Sequence, residues 1–197
     1  MGHTAIKNDR VYTYEDYLSW PENERWEIID GVAYAMAPPS TDHQRVIGNL
    51  YLALGNYLKG KQCQGFLAPF GVTFDKNVKG ENITTVVEPD LTVICDKSKI
   101  TKKGCKGSPD LIIEVLSRTT ASHDVIRKRR LYESNGVLEY WIVDPSNQII
   151  TRLHLNEESL EYEQPEYFVR EHIITTIILP ELQIELNDIF PEITEEE

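Results

Sequence analysis

The chain has 197 residues, of which 41% are hydrophobic and 26% charged, a composition typical of a globular protein with room for one domain and a sizeable core. No apolar run approaches the length of a membrane-spanning helix, and residues 1–10 lack the apolar segment of a secretion signal. We therefore expect a cytoplasmic protein that does not contact a membrane. The three cysteines are an odd number without CxxC or Cys/His spacing, which favours a reducing compartment and argues against a zinc site.

The net charge of −12 argues against a nucleic-acid partner, but the basic residues are unevenly distributed. Between residues 97 and 130 there are ten Lys or Arg and three acids, a local charge of +7, so the rest of the chain carries −19. A basic segment of this kind can attract a polyanion even when the whole chain is acidic. Solvated loop and helix charges are the alternative explanation of the same composition.

The first predicted elements lie within residues 13–36. They are a short helix capped by Thr13 and a hairpin around Asp30-Gly31, a dipeptide that favours the positive backbone angles of a tight turn. A longer helix is predicted over about 42–59, where apolar residues recur at helical spacing.

Three strand-like runs, a helix and a strong strand complete a predicted core over residues 41–145. They span residues 65–74, 85–95, 109–117, about 122–135, and 138–145. The segments over 148–187 alternate polar and apolar residues, which predicts further antiparallel strands with one exposed face. We therefore expect one α/β (α+β) domain over residues 1–197, with a central mixed sheet flanked by helices and an acidic tail at 188–197.

Two of the predicted strands carry carboxylates within apolar runs. The stretch "VVEPDLTVI" contains Glu88 and Asp90, and "PDLIIEVLS" contains Glu114. A buried carboxylate is costly unless it is paired or bound to a cation. Alternation places Glu88 and Asp90 on one face of their strand, and pairing of the two strands would bring Asp90 and Glu114 within reach of one ion. Oxygen ligands suit magnesium or manganese better than zinc, although arginine or backbone amides would also satisfy these carboxylates.

The helix after these strands places a lysine on its inward stripe. At about 100° per residue, Lys128 lies between the apolar Leu131 and Tyr132. An ammonium group at that position is costly unless it meets negative charge. Arg129 borders the same stripe and is a rival, and a lysine whose stem follows the core edge with its head in water is the other alternative.

Asp90, Glu114 and Lys128, in the order strand, strand, helix, resemble the active site of the PD-(D/E)XK nuclease superfamily, whose core has the order helix, three strands, helix, strand. The stretches "YEDYLSWPENERWEIIDGVAYAMAPPSTDHQRV", "EPDLTVI" and "GSPDLIIEVLSRTTASHDVIRKRRLYESNGVLEYWIVDP" are similar to the Uma-two family of restriction-endonuclease-like bacterial proteins, over about residues 12–190. The resemblance implies a restriction endonuclease-like fold with added antiparallel strands at its C-terminal end.

The resemblance also implies a site. Asp90 and Glu114, with the backbone carbonyl of Val115, would hold one or two Mg²⁺ or Mn²⁺ ions. Leu116 stands where the superfamily pattern has a lysine, and Lys128 is the matching basic residue on the following helix. These catalytic residues would make the chain a magnesium-dependent DNA endonuclease.

Further residues are assigned to the same site by the resemblance. Glu27 and His43 match positions that border the cleft, although a capping or surface role is the alternative. The basic segment around Lys128, including Lys103, Arg118 and Arg127, would contact the phosphate backbone of a nucleic acid, expected to be DNA. Cutting both strands of a duplex would favour a homodimer.

The alternative function is a catalytically inactive nucleic-acid-binding or assembly protein with a nuclease fold. The missing strand lysine at Leu116 and the overall acidity favour this alternative, whereas the presence of both acids disfavours it. A nucleotide-dependent enzyme is disfavoured because the chain has no glycine-rich phosphate loop.

Overall fold

A computed structural model describes residues 3–5, 10–21, 23–74, 83–117 and 121–191. In this part of the chain the helices are α1 (Tyr14–Ser19), α2 (Thr41–Leu58), α3 (Ala121–Asn135) and α4 (Leu186–Ile189). The strands are β1 (His3–Ala5), β2 (Trp26–Ile29), β3 (Val32–Met36), β4 (Gln64–Leu67), β5 (Gly71–Thr73), β6 (Val86–Val87), β7 (Leu91–Ile94), β8 (Ile100–Thr101), β9 (Gly104–Lys106), β10 (Leu111–Val115), β11 (Glu139–Asp144), β12 (Ile149–Asn156), β13 (Glu161–Tyr162), β14 (Glu166–Val169), β15 (Ile173–Thr175) and β16 (Gln183–Glu185). None of the described helices combines the length and apolar character that crossing a membrane requires.

The predicted N-terminal helix and hairpin are both present. The backbone N–H of Thr13 donates to Asp16 Oδ2 at 2.9 Å and caps α1. Asp30 and Gly31 have φ angles of 50° and 78° and join β2 to β3. A Cβ atom at Gly31 would lie 2.5 Å from Val11 Cγ1, so the turn needs glycine for space as well as for its backbone angle.

The longer strands of the described chain belong to two sheets. The core sheet has the order β13-β12-β11-β10-β7-β4, with β14 also paired to β12, and the second sheet has the order β1-β3-β2-β6-β5-β9-β8. In the core sheet β10 and β11 are parallel, and the other neighbours are antiparallel. The predicted fold class is confirmed: a mixed sheet with flanking helices, in the order helix, three strands, helix, strand, followed by antiparallel strands.

Two of the predicted strands are not continuous. The run 65–74 divides at Pro69 into β4 in the core sheet and β5 in the second sheet, and 85–95 divides near Pro89 into β6 and β7. Proline has no N–H group to donate to a strand ladder, so the chain leaves one sheet and enters the other at these points. The prediction of a single strand is wrong in both places.

The core sheet separates two hydrophobic clusters. Ile113 and Val115 belong to the cluster that also contains residues of α2 and α4, and Ile112 belongs to the cluster that contains Tyr132 of α3. Since side chains alternate along a strand, Glu114 shares the face of Ile112 and points towards α3. This confirms the alternation that the sequence predicts for β10.

Cys63 and Cys95 form a disulfide bond that links the beginning of β4 to the end of β7, and Cys105 is a buried free thiol. Gln64 and Ile94 are paired in the antiparallel register, and the two cysteines occupy the next positions. Strand pairing therefore brings them together across 32 residues of sequence. The bond runs against the expectation of a reducing compartment, and the spacing of the cysteines in the sequence gives no sign of it.

Candidate active site

Asp90 and Glu114 lie next to each other where the core sheet approaches the second sheet. Ile113 pairs with Leu91, and Glu114 and Asp90 are the next residues of β10 and of the chain before β7 in that antiparallel register. The backbone N–H of Val115 donates to Asp90 Oδ2 at 2.8 Å. Only 4% of Asp90 and 9% of Glu114 is exposed. The predicted pairing of the two strands thus brings two buried carboxylates together.

His43 holds Asp90 from the first turn of α2. Ser40 caps this helix by accepting a hydrogen bond from the His43 N–H at 3.2 Å, and the His43 Nε2 lies 3.0 Å from Asp90 Oδ2. Burial alone would raise the pKa of Asp90, but the contacts with His43 and Val115 and the charge of Lys128 outweigh it and lower the pKa. Asp90 is therefore ionised at neutral pH.

Lys128 projects from α3 into the interior and contacts two carboxylates. Its Nζ donates to Glu114 Oε1 at 2.8 Å and to Glu27 Oε1 at 2.9 Å, and only 6% of the residue is exposed. One turn later, the Tyr132 hydroxyl donates to the same Glu114 oxygen at 2.6 Å. Lys128 therefore occupies the inward position, and its ammonium group is buried rather than solvated. Arg129, the rival residue, lines a separate cavity.

The charges around Lys128 determine which group of the pair titrates. Burial raises the pKa of Glu114 to about 7, although the Lys128 ammonium acts in the opposite direction. Burial would lower the pKa of Lys128, but Glu114 and Glu27 together raise it above its ordinary value. The lysine has two acidic neighbours, whereas Glu114 has one basic neighbour and the acids Asp90 and Glu27. Lys128 therefore keeps its proton, and Glu114 is the group that titrates near neutrality.

Glu27, which the sequence placed at the border of the cleft, is wholly buried on β2. Its Oε1 accepts hydrogen bonds from Lys128 Nζ and, at 2.8 Å, from the backbone N–H of Glu88. Glu27 therefore connects the lysine of α3 to the segment that leads into Asp90.

Glu88 belongs to a different network from Asp90. It accepts hydrogen bonds from the Tyr17 hydroxyl at 2.6 Å and from Arg25 Nε at 2.9 Å. The predicted common face of Glu88 and Asp90 is wrong, because the strand on which it was based breaks between them.

The three residues predicted to contact nucleic acid lie at different distances from the acidic pair or outside the described residues. Arg127 lies over the ring of Tyr34, with its Cζ 4.5 Å from the ring centroid, and Tyr34 is paired with Glu27 across the hairpin. Arg127 is thus at the edge of the acidic site. Lys103 is exposed in the turn between β8 and β9, and Arg118 lies outside the described residues.

Tyr132 was not among the predicted site residues. It follows Lys128 by four residues, and residues with that spacing are neighbours on one face of a helix. The spacing is the sequence feature that could have identified it, once Lys128 was assigned to the inward face.

The oxygens available to a cation come from two carboxylates. Within the described ranges, no three His, Cys, Asp or Glu side chains are grouped so that they could hold a metal ion. Glu114 makes its hydrogen bonds through Oε1 and Asp90 through Oδ2, so Glu114 Oε2 and Asp90 Oδ1 make none with the described residues. Magnesium usually takes one or two protein carboxylates and completes its shell with water and substrate oxygens. This donor set fits a hard cation.

The profile of the Uma2 (Uma-two) family, described as "Putative restriction endonuclease", matches residues 14–187. The chain belongs to the Uma2 family. The matched range contains Glu27, His43, Asp90, Glu114 and Lys128, so the whole cluster lies within the part of the chain that the family model matches.

The chain is also similar to two other proteins. The Uma2 chain is 31% identical to the "Uncharacterized protein slr1290" of Synechocystis sp. over 147 residues. The aligned region covers 73% of this chain and 74% of that protein. The fold of the Uma2 chain is similar to the crystal structure of "a putative nuclease belonging to DUF820" from Anabaena variabilis. The TM-score is 0.72 and the identity 19%, and the match covers 91% of this chain and 97% of that one. The second likeness shows a shared fold.

Proposed function

We propose that this Uma2 chain is a metal-dependent endonuclease that hydrolyses phosphodiester bonds of DNA, with Asp90, Glu114 and Lys128 at the reacting centre. The observation that carries the proposal is the 2.8 Å contact between Lys128 Nζ and Glu114 Oε1, beside the Asp90 carboxylate. The superfamily pattern has its lysine at the strand position that Leu116 occupies, and Lys128 of α3 would supply the ammonium group instead. The description of the family, "Putative restriction endonuclease", supports the same chemistry.

Asp90 and Glu114, with the backbone carbonyl of Val115, would hold Mg²⁺ or Mn²⁺. When bound, such an ion neutralises charge on the phosphate and lowers the pKa of a coordinated water. Asp90 suits this role because its carboxyl group is already ionised at neutral pH. A nearby cation also favours the ionised form of Glu114, whose pKa of about 7 leaves it partly protonated without one.

Lys128 acts through its charge rather than as a base. Because two carboxylates raise its pKa, it keeps its proton at neutral pH and cannot accept one from water. An ammonium group fixed in a buried site stabilises negative charge that develops on the phosphate in the transition state. Glu27 accepts a hydrogen bond from the ammonium at 2.9 Å and would keep it in place when Glu114 binds the ion.

The substrate, assembly and location follow from the same proposal. Arg127 at the edge of the site, with Lys103 and Arg118, would contact the phosphate backbone of DNA, so the affinity should fall as salt rises. A homodimer would present two sites to the two strands of a duplex, and we propose the cytoplasm as its location. Light scattering of the purified protein tests the dimer.

The test is incubation of supercoiled plasmid and single-stranded DNA with Mg²⁺, Mn²⁺ or EDTA. We expect cleavage by the wild type with either metal and a loss of at least a hundredfold in Asp90→Asn and Lys128→Ala. Glu163→Gln, a change on the far β13 edge, is the control for an unrelated lost carboxylate. Equal survival of DNA with the wild type and with both site variants would show that catalysis is the wrong assignment.

A catalytically inactive nucleic-acid-binding protein is the second candidate. It is favoured by Leu116 at the strand position and by a Lys128 whose charge is already compensated by Glu27 and Glu114. If this candidate is correct, the protein should bind oligonucleotides with an affinity that divalent ions do not change, and it should cleave DNA under none of the conditions.

A further inference from the structure

A cavity of about 410 Å³ lies beside the candidate active site, between α3 and the β11, β12 and β14 strands of the core sheet. Much of its wall is apolar, but Arg129, Arg130 and Tyr167 also line it. Tyr167 is 64% exposed, and Ile126 on the opposite wall is 55% exposed. A concave surface that combines exposed apolar groups with two cations is suited to an amphipathic anion.

The cavity and the acidic pair lie on one row across the core sheet. Glu114 pairs with Ile142, Ile142 with Thr151, and Thr151 with Tyr167. The last three residues line the cavity. Neighbouring strands are about 4.8 Å apart, so Tyr167 is three spacings, or about 14 Å, from Glu114 on the same face of the sheet.

The two arginines form no ion pair within the described chain. Neither makes a hydrogen bond or an ion pair with a described residue, and Glu133, which also lines the cavity, accepts a hydrogen bond from the Tyr162 backbone N–H at 2.8 Å. In a chain where 32 acids outnumber 20 bases, two adjacent guanidinium groups without an ion-pair partner among the described residues are unusual. Their planar donors match the oxygens of a phosphate.

We infer that this cavity is a subsite for a nucleotide that flanks the scissile phosphate. Arg129 and Arg130 bind its phosphate, and Tyr167 stacks on its base. Stacking on a protein ring requires an unpaired base, so the ligand class is nucleic acid that is single-stranded at this nucleotide. Consecutive residues of α3 line the two sites: Lys128 contacts Glu114, and Arg129 and Arg130 line the cavity. One nucleic-acid strand can therefore contact both the acidic pair and the cavity. This inference rests on the proposed nuclease function and specifies its substrate.

The first test measures binding without cleavage. The affinity of a fluorescein-labelled single-stranded DNA oligonucleotide is measured by anisotropy in EDTA at several salt concentrations. We expect the double variant Arg129→Gln Arg130→Gln to bind at least tenfold more weakly, with the slope of log affinity against log salt reduced by about 0.7, the value for one lost phosphate contact on a single strand.

The matched control is Lys59→Gln Lys61→Gln. It removes the same charge from exposed positions after α2, on the other face of the core sheet. We expect it to change affinity far less than the cavity variant. Equal losses of DNA affinity in the two double variants, or no loss in either, would overturn the subsite. If neither variant lost affinity, a protein partner would be the remaining ligand for the cavity.

The second test separates stacking from charge. Tyr167→Leu should weaken binding of the single strand by about tenfold, while binding of a duplex of the same sequence should change little. An equal effect on both forms, or none, would refute the stacking role. Hydrolysis of bis(p-nitrophenyl) phosphate by the wild type with Mn²⁺ tests the reacting centre alone, so loss of the nuclease proposal is distinguishable from loss of the subsite.

Discussion

Replacing Lys128 by methionine should destabilise the protein because it leaves two buried carboxylates without their cation. The substitution keeps an unbranched side chain but removes an ammonium group that lies 2.8 Å from Glu114 and 2.9 Å from Glu27. Removal of one partner from a buried ion pair costs about 3 to 5 kcal/mol. Lys128 serves two acids, and Glu27 has no exposed surface, so we expect about 4 to 5 kcal/mol at pH 8.

The loss should depend on pH in a defined direction. Burial already raises the pKa of Glu114 from 4.5 to about 7 in the presence of the lysine, and its removal raises the pKa further. An acid whose pKa is higher in the folded than in the unfolded state stabilises the fold at low pH, and that stability is lost as pH rises from the unfolded value through the folded one. We therefore expect a deficit of at most about 2 kcal/mol near pH 5 and the full deficit at pH 8.

The assay is urea unfolding followed by circular dichroism at pH 5 and pH 8. Glu27→Gln and the double variant Glu27→Gln Lys128→Met complete a mutant cycle with the wild type. The double variant should be more stable at pH 8 than Lys128→Met alone, by about 2 kcal/mol, because one of the stranded charges is gone. A cost below about 1 kcal/mol, a cost independent of pH, or additive single effects would refute the buried triad.

Three further perturbations test other contacts of the site and the fold. Tyr132→Phe removes a hydroxyl that donates to Glu114 at 2.6 Å, so it should raise the pKa of that carboxyl group and move the acid limb of the metal-dependent cleavage profile to higher pH; an unchanged limb would contradict the contact. His43→Ala should raise the pKa of Asp90, so calorimetry should show a larger loss of Mn²⁺ affinity at pH 5 than at pH 8, and a loss independent of pH would argue against the contact. Cys63→Ser opens a loop of 32 residues and should lower the free energy of unfolding by about 3 to 4 kcal/mol, as should reductant added to the wild type, whereas a urea midpoint insensitive to reductant would show that the bond is not formed.

Local periodicity predicted the parts of the site that depend on which way a side chain faces. The alternation around Glu114 placed it opposite Ile113 and Val115, and the helical angle of Lys128 placed it inward. Both predictions hold because the pattern of polar and apolar residues along one element is fixed by the face that the element buries.

Features that depend on distant parts of the chain could not be predicted in this way. Glu27 and Lys128 meet across 101 residues, and only the placement of β2 beside α3 brings them together. The runs that contain Pro69 and Pro89 look like single strands, since their apolar pattern continues through each proline, yet the chain changes sheets there. Such contacts are set by how the two sheets pack, and no local sequence pattern records that packing.

Anomalous diffraction from crystals soaked in Mn²⁺ is the most direct test of the proposed metal centre. We predict one peak about 2.1 Å from a carboxylate oxygen of both Asp90 and Glu114, and no such peak in crystals of Asp90→Asn. A manganese ion bound elsewhere, or the absence of a peak between these two side chains at saturating metal, would contradict the central claim.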